Sequence, residues 1–393
     1  MLVLGTWVRR APAPAPEPPP PAAVRLVAVG DILMHEDVKR SAAAASLPAL
    51  WEAVEPVLRR ADIAFANLET PVAPRTGAPG RPFQFNAPDD LPGALKASGF
   101  TVLSTANNHA YDQGVAGVLE TLDRLRAAQL VAVGSGASRA EAEQPRVVQV
   151  NGLRVAFLGF TDLFNIHLNR RASEPWVCPL DPAGAAAAVR AARGMADAVV
   201  VSLHWGTEYS HQPQARQRAI AAQLAEAGAD VILGSHPHVL QPVEVLDTGG
   251  RRTLVVYSMG NFISNQDRTY QVDGMAPEEG DNRDGVAVQC RLVKRRLADG
   301  SERVRMEDPV CEPLWTLNNW RECQADRSRR REIRVIPVLA TLEALRAGLE
   351  PAGGAGQGRD AHDVLLRTLQ VRRERAQECL GGSLVPGSPT LDK

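Results

Sequence analysis

Two imidazoles one residue apart, in Ser235-His236-Pro237-His238, directly follow the apolar run Val231-Ile232-Leu233-Gly234. A run of that type reads as a strand, and the strand period of two sends alternate side chains to one side, so His236 and His238 are expected to converge. Imidazole nitrogens suit zinc, manganese and iron. Taken alone, a His-x-His is more often an exposed turn. It gains weight because the other apolar runs also stop at residues able to bind metal or move protons. Residues 24–30 stop at Asp31 and 63–67 at Glu69; 100–106 stop at Asn107-Asn108-His109 with Asp112 behind, and 198–203 at His204 with Glu208 four positions on. Open α/β sheets build sites outside the carboxyl ends of their strands, so these five ends are expected to share one crevice.

Asp31, Glu69, Asn108, His204, His236 and His238 offer oxygen and nitrogen donors without a thiolate, a set that suffices for two divalent ions (Mn, Fe or Zn) sharing one carboxylate. Paired ions about 3.5–4 Å apart bring bound water toward a pKa of roughly 7 and hold both oxygens of an in-line phosphoryl displacement. His109 is then free to protonate a leaving oxygen or stabilise charge, with Asp112 fixing its tautomer. Asn107, Glu208, Gln241 and Asn261 are assigned to the shell around the ligands or to substrate. Trp205 and Tyr209 read as packing residues, and His35, His211 and His362 as surface residues. His167, near Asn165 and Arg170, is a weaker candidate for lining the crevice and binding an anion.

Strands are predicted over residues 24–29, 63–66, 100–104, 198–203 and 231–233, and helices over 47–61, 89–98, 115–128, 183–195 and 213–227. That alternation argues a layered α/β sheet. Asn151-Gly152 and Thr248-Gly249-Gly250, each between apolar runs, signal two hairpins, so part of the sheet is antiparallel. Residues 266–284 read as a polar surface loop, 285–293 and 303–306 as strands, 327–334 as a solvated helix face, and 360–379 as an amphipathic helix before a frayed tail. At 393 residues and 45% hydrophobic, the chain can bury a sizeable core. A net charge of −1 supplies no basic field, which disfavours nucleic acid as a partner. The five cysteines include no Cys-x-x-Cys pair, so neither a zinc ribbon nor a thioredoxin motif is present. The first ten residues carry too short an apolar run for a signal peptide or membrane span, and their arginines follow that run instead of leading it. The proline-rich residues 11–21 read as a spacer, which could be the stub of a membrane anchor if the chain starts upstream. The expected location is then the cell envelope, and otherwise the cytoplasm.

In order along the chain stand Gly30-Asp31-Ile32-Leu33-Met34, Asn67-Leu68-Glu69-x-Pro71, Ala106-Asn107-Asn108-His109-x-x-Asp112-x-Gly114, His204-Trp205-Gly206-x-Glu208-Tyr209, Gly228-Ala229-Asp230 through His238 with Gln241, and Tyr257-Ser258-Met259-Gly260-Asn261-Phe262. Together they resemble the CapA-type family of capsule or poly-gamma-glutamate synthesis proteins, built on a calcineurin-like metallophosphoesterase fold. The resemblance covers about residues 24–263, and residues 333–338 are similar to the family's final strand. It implies a four-layer α/β/β/α sandwich over residues 24–340, between a spacer of 1–23 and a C-terminal helix and disordered tail of 341–393. It also implies a role in making, remodelling or exporting an anionic cell-surface polymer. The chain would be a metal-dependent hydrolase of that polymer or of a phosphate ester, or alternatively a non-catalytic accessory subunit of a membrane polymer synthase complex. In the wider phosphoesterase pattern Asp31 matches the first aspartate, Asn108 and His109 the Asn-His pair, His204 the middle histidine, and His236 and His238 the final pair. Glu69 stands where a bridging aspartate is usual. Leu33 takes the place of a histidine, which leaves one ion a ligand short unless His35 or water replaces it.

Overall fold

Every residue of the Ala198–His204 strand is buried, as are all of Ile63–Leu68 and Val231–Ser235. Continuous burial of this kind marks parallel strands covered on both faces. In the computed structural model, which describes residues 22–297, 300–349 and 359–381, these strands belong to two facing sheets. Residues 1–21 of the expected spacer and 382–393 of the expected tail lie outside the described residues.

The first sheet runs in the order Ile333–Pro337, Glu302–Asn318, Asp284–Arg296, Ala23–Ile32, Ile63–Leu68, Val102–Ser104 and Val131–Val133, with Asn261–Ile263 pairing with the end of Ala23–Ile32. The second runs Val243–Thr248, Arg251–Val256, Val231–Ser235, Ala198–His204, Leu153–Thr161 and Arg146–Val150. Between them Val24, Leu26 and Phe65 pack on Val155, Phe157 and Val200 in one core, and the Phe65 and Phe157 rings stack with centroids 6.4 Å apart. The helices Glu36–Ala44, Leu91–Ala97 and Gly114–Ala127 cover the outer face of the first sheet, and Pro182–Arg193 and Ala215–Ala227 that of the second. The result is the four-layer α/β/β/α sandwich.

Local chemistry sets the joints. Asn151 and Gly152 have φ of 50° and 77°, and Gly249 and Gly250 of 61° and 82°, the left-handed pairs that two-residue hairpins require. Asp181 accepts from the Gly184 N–H and Pro182 opens the helix that follows.

Several expectations are corrected. Residues 47–61 do not form one helix but two 3₁₀ turns, Pro48–Leu50 and Glu52–Val54, and a single α turn, Glu55–Leu58. Pro48 and Pro56 deny the chain amide donors there, and Trp51, whose Nε1 donates to Ser98 Oγ at 2.8 Å, anchors the segment instead. The charged residues 327–334 are not a helix face either. The helix Trp320–Ala325 ends before them, and Arg331 ties the run down through Asn318, Asn319 and Asn265 and an ion pair with Asp37 at 3.3 Å. The expected strand 303–306 extends over Glu302–Asn318, and the loop 266–284 ends in the turn Pro277–Arg283, where Asp281 and Arg283 are buried. The helix Val338–Arg346, unforeseen, packs with the C-terminal helix Arg359–Leu380 around Trp315, Leu342, Leu365 and Leu369. None of the described helices is long and apolar enough to cross a membrane.

Candidate metal centre

Glycine lets the strand ends come together. A Cβ on Gly30, just before Asp31, would lie 1.9 Å from the Gly260 carbonyl oxygen, and one on Gly234 would lie 1.9 Å from that of Tyr257. The segment 257–261 therefore crosses directly behind both strands, and the Asp31 N–H donates to Gly260 O at 3.1 Å. Asp31 Oδ1 accepts from Asn67 Nδ2 at 2.8 Å, while Oδ2 accepts from the His236 N–H at 3.2 Å and lies 3.3 Å from His238 Nδ1. Glu69 Oε1 sits 3.6 Å from His204 Nε2 and 3.8 Å from His238 Nε2. Asn108 Oδ1 lies 2.9 Å from His204 Nε2. Two three-donor sets result, Asp31-Glu69-His204 and Glu69-His236-His238, each with ligand atoms within 4.8 Å of one another and both using Glu69. Glu69 Oε1 and His236 Nδ1 are buried without a hydrogen-bond partner. An orphaned buried polar atom costs about 1–3 kcal/mol unless something supplies a partner, and a donor set of carboxylate, amide and imidazole fits divalent cations.

The electrostatics point the same way. Burial, reinforced by His236 and His238, holds His204 well below the usual imidazole range, and burial pushes His236 down to about 4. Burial and the neighbouring Asp31 raise Glu69. Imidazoles kept neutral are the form that binds metal. Ser235 Oγ, 3.0 Å from His204 Nδ1, and Asn261 Oδ1, 3.0 Å from His238 Nδ1, occupy the outer ring nitrogens and leave both Nε2 atoms facing Glu69. The route by which His236 and His238 converge differs from the strand alternation expected. The strand ends at Ser235, and both histidines sit in a turn with φ of 97° and 59°, in the left-handed region that costs non-glycine residues about 1–2 kcal/mol each.

The family model described as bacterial capsule synthesis protein PGA_cap matches residues 25–266, a span holding all six donors. The chain belongs to this family. It is 36% identical over 269 residues to the PGA biosynthesis protein CapA of Bacillus subtilis (strain 168), covering 68% of this chain and 67% of that one. To the capsule biosynthesis protein CapA of Bacillus anthracis it is 32% identical over 338 residues, covering 84% and 80%. Among solved structures it is similar to the calcineurin-like phosphoesterase YfkN from Bacillus subtilis, at 12% identity and a TM-score of 0.42, covering 91% of this chain and 100% of that one.

Around the donors of this capsule synthesis family member, the expected helpers divide. His109 Nδ1 donates to Asp112 Oδ2 at 2.8 Å, so Asp112 sets the tautomer, and Asp112 is itself held by the Phe85 N–H at 2.6 Å. Asn107 does not face the crevice freely: its Nδ2 donates to Leu68 O and Asn67 Oδ1, and its Oδ1 accepts the His109 N–H. Asn261 backs His238, as above. Gln241 is buried away from the donors, bracing the Ser210 carbonyl at 2.6 Å, and Glu208 is exposed at the rim. Tyr209, read as a packing residue, is 55% exposed beside His238, whereas Trp205 is buried and donates to Tyr257 O. His35 is half-buried against Phe85 instead of on the surface, and burial with His238 nearby lowers it to about 4; it belongs to neither three-donor set. Leu33 is core. His167 is exposed against Phe164, while Asn165 is the residue of that loop that reaches His109 Nε2, at 3.3 Å. His211 is not a free surface residue but bonds Asp281 and Leu240. Asn67 was missed as a site residue although its place two before Glu69 puts both side chains on one side of the chain end. It bonds Asp31 and reaches Glu69 Oε2 at 3.4 Å.

Proposed function

We propose that the chain is a metal-dependent hydrolase acting on a phosphate ester or a gamma-glutamyl-type bond in the metabolism of an anionic cell-envelope polymer. The observation that carries the reading is Glu69, common to both three-donor sets, with its Oε1 buried and unpartnered. Asp31, Glu69, Asn108 and His204 would hold one divalent ion, and Glu69, His236 and His238 the other. Such ions acidify water and neutralise charge gathering on a phosphoryl or carbonyl oxygen. Asn67 orients Asp31 for this role. Asp112, accepting from Nδ1, leaves His109 Nε2 as the atom that meets substrate, where it delivers a proton to a leaving oxygen or donates to the charge forming there. Asn165 positions that edge of the ring. Exposed Tyr209 and Glu208 border the entrance on the opposite loop.

The test uses the full chain loaded with Mn, assayed on an aryl phosphate and on a gamma-linked glutamate oligomer. Two ions per chain with turnover of either compound is expected, and His109→Ala should lower kcat by roughly 10²–10⁴-fold while the metal content stays at two. Two bound ions with no turnover of either compound would overturn the hydrolase reading in favour of an accessory subunit that binds without reacting.

A further inference from the structure

We propose that Cys379, His211 and Asp281 form an activated-thiol site, separate from the metal centre, that small peroxides oxidise. Three elements far apart in sequence build it. The C-terminal helix Arg359–Leu380 brings Cys379 Sγ to 3.3 Å from His211 Nδ1, on the loop 206–214. His211 Nε2 lies 2.8 Å from Asp281 Oδ2, in the turn Pro277–Arg283, and Nδ1 lies 2.8 Å from the Leu240 carbonyl oxygen. A carbonyl oxygen and a carboxylate only accept. Each ring nitrogen must therefore carry a hydrogen, and the ring is an imidazolium whose Nδ1 edge, its hydrogen given to the Leu240 carbonyl, sets a cation beside the sulfur.

A cation at that distance stabilises the thiolate, the form that reacts. Asp281, then Cys379, push His211 up to about 10, consistent with a ring that stays charged at neutral pH. The charged groups around the sulfur are His211, Arg375 and Glu378 on its own helix, and Asp281 on the far side of the His211 ring. Arg375 and Arg372 both bind Asp281, which offsets the charge of that carboxylate. The remaining cysteines provide the contrast. Cys178, Cys290 and Cys311 are buried, and burial pushes each thiol up to about 12. Cys323 is half-buried like Cys379, yet its sulfur sits against oxygen atoms of Asn319, Arg329 and Arg330 instead of an imidazole.

In the reaction the Cys379 thiolate attacks one oxygen of a hydroperoxide. The S–O bond forms as the O–O bond breaks, sulfur gives up two electrons and becomes sulfenic acid, and the departing hydroxide or alkoxide takes a proton from solvent.

The experiment follows bimane labelling of each cysteine in the full chain by peptide mapping between pH 5 and 10, with hydrogen peroxide and a dimedone trap in parallel. At pH 7 Cys379 should label roughly tenfold faster than Cys323, and dimedone should mark Cys379 first. His211→Gln should bring the Cys379 rate back to that of Cys323, with the Cys323 rate itself unchanged as the check on folding. A Cys379 rate at pH 7 no faster than that of Cys323 in the unsubstituted chain, or dimedone marking Cys323 before it, overturns the proposal whatever the variant does.

Discussion

Two clusters of histidine and carboxylate lie in this molecule, and they are in opposite electrical states. At the sheet ends His204 and His236 are held neutral and Glu69 is driven toward its proton, with polar atoms left unpartnered. Under the C-terminal helix His211 is held cationic, and Asp281 is pulled below the usual carboxylate range by His211 and Arg375 against the opposing effect of burial. Arg372, fully buried, spans Asp281 and Asp284 at 3.2 and 3.1 Å. The second cluster contains its own countercharge. The first has acids and imidazoles but, among the described residues, no buried guanidinium or ammonium bonded to them, which is the condition under which an external cation binds. Residue type alone does not separate a scaffold from a site; the local charge balance does.

The sharpest way to break this comparison is to remove one member from each side. Arg372→Ala should lower the unfolding free energy by about 3–5 kcal/mol, because two carboxylates lose their buried partner, whereas Glu69→Gln in metal-free protein should cost little or even stabilise. Equal losses in denaturant titration would erase the contrast. A smaller effect is expected at Asn67→Ala, which removes none of the proposed ligands: metal affinity by calorimetry should fall about 10–100-fold, and metal-free protein should lose about 1–3 kcal/mol as Asp31 Oδ1 loses its buried donor. An unaltered affinity would remove Asn67 from the site.

The remaining effect is in pH, and its sign differs between the clusters. His236 is depressed to about 4 from 6.5, so the unfolded chain binds the extra proton, and stability present above pH 6.5 is lost as pH falls toward 4. His211 is raised to about 10, so its contribution is complete below pH 6.5 and is lost as pH rises toward 10. Melting curves of metal-free protein should therefore steepen on opposite sides of neutrality, with His236→Gln flattening the acid limb and His211→Gln the alkaline one. A single variant that flattened both limbs would show the clusters to be coupled.

Much of the site was legible because strand ends in such sheets open on one side, so Asp31, Glu69, Asn108, His204, His236 and His238 could be gathered without knowing a single distance. The hairpins were legible because Asn-Gly and Gly-Gly pairs meet a backbone requirement that few other residues meet. What failed was governed by tertiary partners. His211 read as a surface residue because its partners stand 29, 70 and 168 positions away. Arg331 read as one face of a helix until its bonds to Asn265, Asn318 and Asn319 took the run out of helical geometry. Asn67 lay in plain view within a strand, yet its role depends on Asp31 standing in register beside it.

The left-handed backbone at His236 and His238 carries a last consequence. Glycine would relax the turn at either position, so the polypeptide by itself prefers a residue that binds nothing. In a lineage released from any need for the ions, these two codons should therefore be among the first to drift, and toward glycine. Persistent imidazoles there would record continuing selection for ligation, whether or not turnover survives.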